Sequence, residues 1–491
     1  MIRKQLLKGG AVMGMQQVIC SGSSFVRTLI VARLVDRTDF GIAATLGMTV
    51  ALLDMTSDLN AGTLLIQSKD GNEPELQASA QSVGLIRGMG CAAILLAIAY
   101  PAAALFSVPQ ATWAFLCLAM YPLFRAFAHL DTSRLQREMR FKPSAQVEVV
   151  SQLVSLLAAW PLAWWLRDYS ALLWLMLLQA AVSTAATHWV AERRYRLAWN
   201  RTYIRQLLQF GWPLIINGML MFAIMQGERL VIGSSKQLFP ASSYTMADLG
   251  DFSVALTLTM TGVAALTKIA VTLMLPALAA VQSDQERFGK RYLMTAQVLC
   301  VGGACVALLF ILAGKPLVIA FYGSQYVLAG RYIGWLGAAQ AVRTVRMSVV
   351  LAALAKGDTR NTMMANLARS SGLLGCVAAA ALGADLQWVA ISALGGELVG
   401  WGVSTIMVHR RQQLSLEQCL GPSLIVALAL AAASVAYVGG FGSLGLFASL
   451  GAVFAGVAML LIVWVITVPN VRHEVRASVL LIRARGVASG H

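Results

Sequence analysis

Arg27, Arg87, Arg125, Arg229, Lys268, Arg343, Arg346 and Arg369 each sit inside an otherwise apolar stretch, and so do Asp54, Asp58, Glu228 and Glu397. An ionised side chain at the middle of a bilayer costs about 2.5–3.5 kcal/mol on insertion scales, so each needs a water-filled cavity or a partner. Cations outnumber anions in this set. Guanidinium groups present planar donors that match phosphate oxygens, so the surplus points to an anionic substrate, and lipid-linked phosphates fit that description. Other chemistry is poorly supported. The chain has no Walker loop, so direct ATP drive is not expected. Its five histidines and seven cysteines fall at no metal-ligand spacing, so neither a metal nor any other cofactor is expected.

Depth sorts the charges, because a side chain near a helix end can snorkel to the interface. Arg125, Arg229 and Glu228 lie near ends, where an interfacial role and a ligand role are both open. Arg343, Arg346, Lys268, Glu397 and Asp54 lie deeper, which leaves a cavity or an internal ion pair. Arg343 and Arg346 share one helical face, so something negative is expected beside them: a ligand, or Glu397 as an internal partner of Arg343. Asp54 and Asp58 also share a face. They read either as a proton or cation site or as partners of Arg27, with the pairing slightly preferred.

The elements that must carry these residues are membrane helices. Of 491 residues 58% are hydrophobic and 12% charged, the charged share being about half that of a soluble domain. Mean hydropathy is +0.70. Apolar stretches at about 10–32, 40–66, 81–106, 112–130, 146–166 and 170–190 form one group. A second follows at 207–233, 249–275, 292–320, 327–353, 361–383 and 386–408, with a last pair at 420–440 and 444–468. The expected fold class is therefore an all-α membrane protein of about 14 transmembrane helices. The boundaries predict an N-lobe at 1–192, a basic linker at 193–206, a C-lobe at 207–409, two further helices at 410–470 and a basic tail at 471–491.

The formal net charge of +16 does not imply nucleic acid, because the basic residues cluster between apolar spans, as the positive-inside rule requires. Counting them places both termini in the cytoplasm of a bacterial inner-membrane protein. The strongest inside segments carry Arg134, Arg137, Arg140 and Lys142, then Arg193, Arg194, Arg196, Arg201 and Arg205. They read as orientation signals that touch anionic lipid headgroups, the second also as an interfacial amphipathic linker. The basic start resembles a signal peptide, but the apolar stretch behind it runs on to Val35 and reads as a retained helix. Outside loops are short, the longest at about 234–248, which leaves little room for a catalytic domain.

Residues 32–41 (ARLVDRTDFG) resemble the junction between the first two helices of the Wzx-type polysaccharide transporters, with Arg37 or Thr38 where proline is common. Residues 58–67 (DLNAGTLLIQ), Arg140-Phe141-Lys142, 275–287, 321–329 (FYGSQYVLA) and 226–233, with Glu228 in place of Asp, are similar to further family motifs. The resemblance covers essentially the whole chain. It implies two six-helix lobes around a central cationic cavity plus two carboxy-terminal helices, within the multidrug/oligosaccharidyl-lipid/polysaccharide flippase superfamily. It also implies translocation, without enzymatic chemistry, of undecaprenyl-pyrophosphate-linked oligosaccharide by alternating access on a proton or sodium gradient. On this reading Arg27, Arg87, Lys268, Arg343 and Arg346, with Arg229 and Arg369, hold the pyrophosphate. Asp54, Asp58, Glu228 and Glu397 couple an ion or pair internally. Partners would be the lipid-linked oligosaccharide, membrane lipids and polysaccharide polymerase and export machinery. The alternatives are a drug or metabolite exporter of the same superfamily, disfavoured by the cationic surplus, and a membrane enzyme acting on lipid-linked sugars.

Overall fold

The computed structural model describes residues 2–439 and 444–467, and among them every regular element is helical. The tail expected at 471–491 lies outside the described residues. By its contacts the chain divides into two units: Met1–Val254 with Phe321–Tyr326 and Leu373–Val389, and Ala255–Ala320 with Val327–Gly372 and Ala390–His491.

The first unit contains α1 (Ile2–Leu34), α2 (Arg37–Ser57), α3 (Ala61–Gln67), α4 (Pro74–Leu105), α5 (Thr112–Cys117), α6 (Met120–Ala126), α7 (Asp131–Arg137), α8 (Lys142–Leu166), α9 (Ser170–Val190) and α10 (Arg201–Leu238). The chain then runs through α11 (Met246–Ala279), α12 (Gln285–Leu312), α13 (Gly314–Tyr322), α14 (Ile333–Ala355), α15 (Thr359–Arg369), α16 (Ser371–Ala381) and α17 (Gln387–Gln412). It ends in α18 (Leu416–Leu420), α19 (Leu424–Val438) and α20 (Leu446–Thr467). Several starts are written in the sequence. The carboxylate of Asp36 accepts the Thr38 amide at 3.0 Å and the side chain of Asn200 accepts that of Thr202 at 2.9 Å, each satisfying an amide that the first turn leaves open.

Among the described residues ten helices are long and apolar enough to cross a membrane, or eleven when a pair bent by 47°, Pro109–Ala126 and Asp131–Arg137, counts as one span. The difference from about 14 lies in particular segments. Helix α1 has the length, but Gln16, Gln17, Ser21, Ser23, Ser24 and Arg27 dilute its apolar content. The span expected at 361–383 is two eleven-residue helices, α15 and α16, meeting at Ser370. The long outside loop shrinks to residues 239–245, because α10 runs for 38 residues.

Within the first unit α1 packs on α8, α8 on α9, α2 on α10 and α4 on α5 and α6. In the second, α12 is central, packed on α14, α19 and α20, with Phe288, Tyr292 and Leu299 fully enclosed. Apolar area drives little association where the solvent is itself apolar, so close backbone approach matters more. A Cβ on Gly218 of α10 would fall 1.6 Å from the Met55 carbonyl oxygen of α2. At the other end of α2, a Cβ on Gly41 would fall 1.8 Å from the carbonyl oxygen of Met246, and one on Gly250 2.1 Å from that of Arg37. Helix α2 is thus clamped at both ends by glycine contacts. Gly218→Ala is expected to cost about 1–3 kcal/mol by overpacking and to lower the thermal midpoint and folded yield in detergent. Gly90→Ala, where nothing lies within 4 Å, is expected to be neutral or slightly stabilising.

Candidate functional site

The most enclosed charge in the second unit is Glu397 of α17, 2% exposed. It reaches two guanidiniums: Arg346 Nε of α14 at 3.2 Å and Arg369 Nε at the end of α15 at 2.6 Å. Arg346 Nη1 also contacts Asn366 Oδ1 at 3.5 Å. The sequence allows this approach because Gly396 and Gly400 flank Glu397. A Cβ on Gly396 would meet the Arg369 carbonyl oxygen at 2.6 Å, and one on Gly400 the Ala365 carbonyl oxygen at 2.9 Å. Small residues four apart let α17 lie against α15 and carry the carboxylate to Arg369. One anion facing two cations leaves a positive excess. Arg343 is half-buried one turn from Arg346 on α14. Glu397 pairs with Arg346 and Arg369.

In the first unit Asp54 lies on α2 and Asp58 at its end, but neither meets Arg27, contrary to the expected pairing. Helix α1 turns Arg27 toward α8 and α9, where its Nη1 donates to Ser155 Oγ at 2.8 Å and to Gln179 Oε1. Its buried Nε has no hydrogen-bond partner among the described residues. All of these contacts are neutral. Asp54 instead accepts a hydrogen bond from the Tyr121 hydroxyl of α6 at 2.9 Å, and Arg125 of α6 lies within electrostatic range. Asp58 lies 3.7 Å from Arg87 Nη1, which also donates to Ser57 Oγ at 3.3 Å.

Asp58 marks a break. It caps the end of α2, an unfavourable place for a carboxylate because the helix presents its negative pole there. The Arg87 contact offsets that. Asp58 Oδ1 also accepts the amide of Asn60, whose φ of 51° places it in the left-handed region, before α3 begins at Ala61. A helix interrupted inside an apolar stretch exposes backbone groups that must be met by protein or by water. At the far end of α3 they are met by Arg137, whose guanidinium donates to the carbonyl oxygens of Ile66 at 2.9 Å, Lys69 at 3.2 Å and Ser68.

Arg137 therefore does structural work that charge counting assigned to lipid headgroups. The same holds for its neighbours. Arg134 pairs with Asp131 at 2.6 Å, Glu138 at 2.7 Å and Glu192 at 3.1 Å, and Arg140 pairs with Glu192 at 2.5 Å. The Arg140 guanidinium, with Arg134 second, holds the Glu192 carboxyl below the usual range. The segment that follows is an extended strap over 191–200. Arg193 bonds to Gln77 Oε1 at 3.2 Å and to the Asn72 carbonyl oxygen at 2.9 Å, while the Ala198 amide donates to Ser82 Oγ at 3.1 Å. Polar side chains at the start of α4 receive it.

Arg229 is part-buried on α10, with Nη1 3.3 Å from Gln226 Oε1, beside part-buried Glu228. Lys268 is exposed on α11 and has no acid partner among the described residues, so the internal ion pair left open for it is not formed.

Comparison with known proteins gives the fold a relationship. The chain is 18% identical over 348 residues to an uncharacterized membrane protein in the cps region of Klebsiella pneumoniae, covering 70% of each chain. It is 22% identical over 324 residues to the succinoglycan biosynthesis transport protein ExoT of Rhizobium meliloti (strain 1021), covering 66% of this chain and 64% of that protein. Among solved structures, the lipid II flippase MurJ in an inward closed conformation superposes with a TM-score of 0.69 at 14% identity, over 94% of this chain and 98% of that one. An inward-facing multidrug resistance MATE family transporter of the MOP superfamily gives 0.62 at 14% identity, over 84% and 95%. The structural likenesses show that this all-α, multi-pass membrane protein shares its fold with the MurJ and MATE structures. Residues 30–329 match the polysaccharide biosynthesis protein family as a whole, and the chain belongs to that family.

Proposed function

We propose that the protein is a flippase that carries undecaprenyl-pyrophosphate-linked oligosaccharide repeat units from the cytoplasmic to the periplasmic leaflet of the inner membrane, with both termini cytoplasmic. The observation that carries this reading is Arg27, a part-buried guanidinium whose hydrogen-bond partners among the described residues are Ser155 and Gln179, with its Nε hydrogen unspent there. A cation placed in an apolar bundle without a carboxylate is costly unless a mobile anion visits it. A pyrophosphate offers such an anion, with oxygens that suit the guanidinium fork. The shared carboxylate of Glu397 supplies a second positive excess at Arg346 and Arg369, next to Arg343. Organic cations, the cargo of a drug exporter, would be repelled by both places.

No bond is made or broken in this scheme. The polyprenyl tail stays in lipid while the head group exchanges water for guanidinium donors, and alternating access follows from a shift between states with different affinities. Drive comes from a proton or sodium gradient. Protonating Glu397 frees two arginines for the cargo, which couples ion and anion binding at one place, while Asp54, Asp58 and Glu228 are further coupling acids. Relatives named for succinoglycan transport and for a cps region support a polysaccharide precursor as cargo. A polymerase and export machinery would be the downstream partners.

Two variants test the scheme. Arg27→Gln is expected to keep folded yield, since its neighbours are neutral, and to lower cargo affinity at least tenfold. That corresponds to about 1.5–3 kcal/mol for a charged hydrogen bond and is read by export of polymer and by binding of the lipid-linked precursor. Glu397→Gln leaves two guanidiniums facing no carboxylate and is expected to destabilise the fold by about 3–5 kcal/mol, read as a lower thermal midpoint that Arg346→Gln on the same chain partly restores.

A further inference from the structure

Asp251, in the second turn of α11, is fully buried at 0% exposure. The Gly41 and Gly250 contacts bring the backbone at the start of α2 directly against that at the start of α11. Its carboxylate makes one polar contact: Arg37 Nη1 approaches Oδ2 at 3.4 Å, a long distance for an ion pair, and the Arg37 side chain is itself 36% exposed. The other oxygen, Oδ1, is buried and has no hydrogen-bond partner. Tyr326, also fully enclosed and carrying a buried hydroxyl without a partner, lies within electrostatic range of the same carboxylate. It is held there by its ring edge against Phe40 and by Gln325, whose Nε2 donates to the Ala32 carbonyl oxygen at 2.7 Å.

An ionised carboxylate fits these surroundings badly. It would have two acceptor oxygens, one contact to a partly hydrated arginine and an orphaned oxygen in an enclosed space. The other charged groups facing it make matters worse. Asp36, before α2, and Asp248, one turn earlier on α11, are both acids within electrostatic range. Both are already occupied, Asp36 by the Thr38 amide and Asp248 by Thr245. The positive pole of α11 favours the anion, but more weakly than a missing donor disfavours it. A neutral acid fits better: it brings no charge into the enclosed space, its hydroxyl can donate as well as accept, and Arg37 retains solvent.

We propose that Asp251 is a proton-binding site of this protein, holding its proton while the α2–α11 crossing is packed and giving it up to water when that corner loosens. The site stands independently of the cargo; only its use as a coupling proton rests on the flippase reading. Spacing alone did not single it out, since Asp251 falls close to the edge of an apolar span.

The test uses the full chain in detergent or nanodiscs. Asp251→Asn is isosteric with the protonated acid, so it is expected to match the wild type in thermal midpoint at about pH 4 and below, where the unfolded carboxyl is protonated too. A proton kept in the folded state and lost in the unfolded one means that wild-type stability falls as pH rises from about 4 toward neutrality, so the variant is expected to overtake the wild type across that range and to stay ahead above it. The infrared carbonyl band of a protonated carboxyl group in the wild type at neutral pH is expected to be missing from the variant. A variant less stable than the wild type by the same margin at every pH, with identical carboxyl bands, would overturn the proposal and identify Asp251 as the ionised partner of Arg37. Neither readout involves transport, so failure here leaves the cargo assignment untouched.

Discussion

A charge enclosed in an apolar bundle has to be met by something, and in this protein the supply of protein carboxylates runs short. Glu397 faces both Arg346 and Arg369, and among the described residues Arg27 meets a hydroxyl and an amide rather than a carboxylate. Packing is arranged around that constraint. Gly396 and Gly400 exist at the spacing that lets α17 approach α15, and the approach is what lets one acid reach two bases. Replace the glycines and the carboxylate retreats. The chemistry of the site and the closeness of the helices are one feature seen from two sides.

The first unit follows the same logic with a different device. Its second helix is interrupted at Asp58–Asn60 and resumes as α3, a short element whose free carbonyl groups are gathered by Arg137 from α7. Arg87 offsets the carboxylate at the break, and the Tyr121 hydroxyl supports Asp54 one turn earlier. Interruptions of this kind let backbone and side-chain polarity occur at depth without lipid exposure. The acids there are held by a phenol and a weakly placed arginine, contacts that can be exchanged, whereas the Asp131–Arg134–Glu192 cluster outside the apolar spans is multiply tied.

Much of this was legible in the sequence, for reasons that can be named. Long apolar stretches can only be helices in a bilayer, and the motifs around residues 32–41 and 58–67 led to a family that residues 30–329 match. What could not be read is which neighbour each helical face meets. Arg27 and Asp54 looked like partners because α1 and α2 are consecutive, yet α1 packs on α8 while α2 packs on α10. Counting basic residues could not separate a headgroup contact from a carbonyl cap, as Arg137 illustrates. Asp251 went unnoticed because its burial comes from two glycines far apart in the chain, Gly41 and Gly250.

The central claim is that the unmatched guanidiniums exist for an anionic lipid head group. Leaflet-resolved translocation in proteoliposomes tests it most directly, using two fluorescent polyprenyl-linked oligosaccharides that differ only in a pyrophosphate or an uncharged linkage. The account expects the pyrophosphate-linked lipid to change leaflet in a protein-dependent way and the uncharged one to stay. Equal movement of both lipids, or movement of neither while an organic cation is transported, would contradict it.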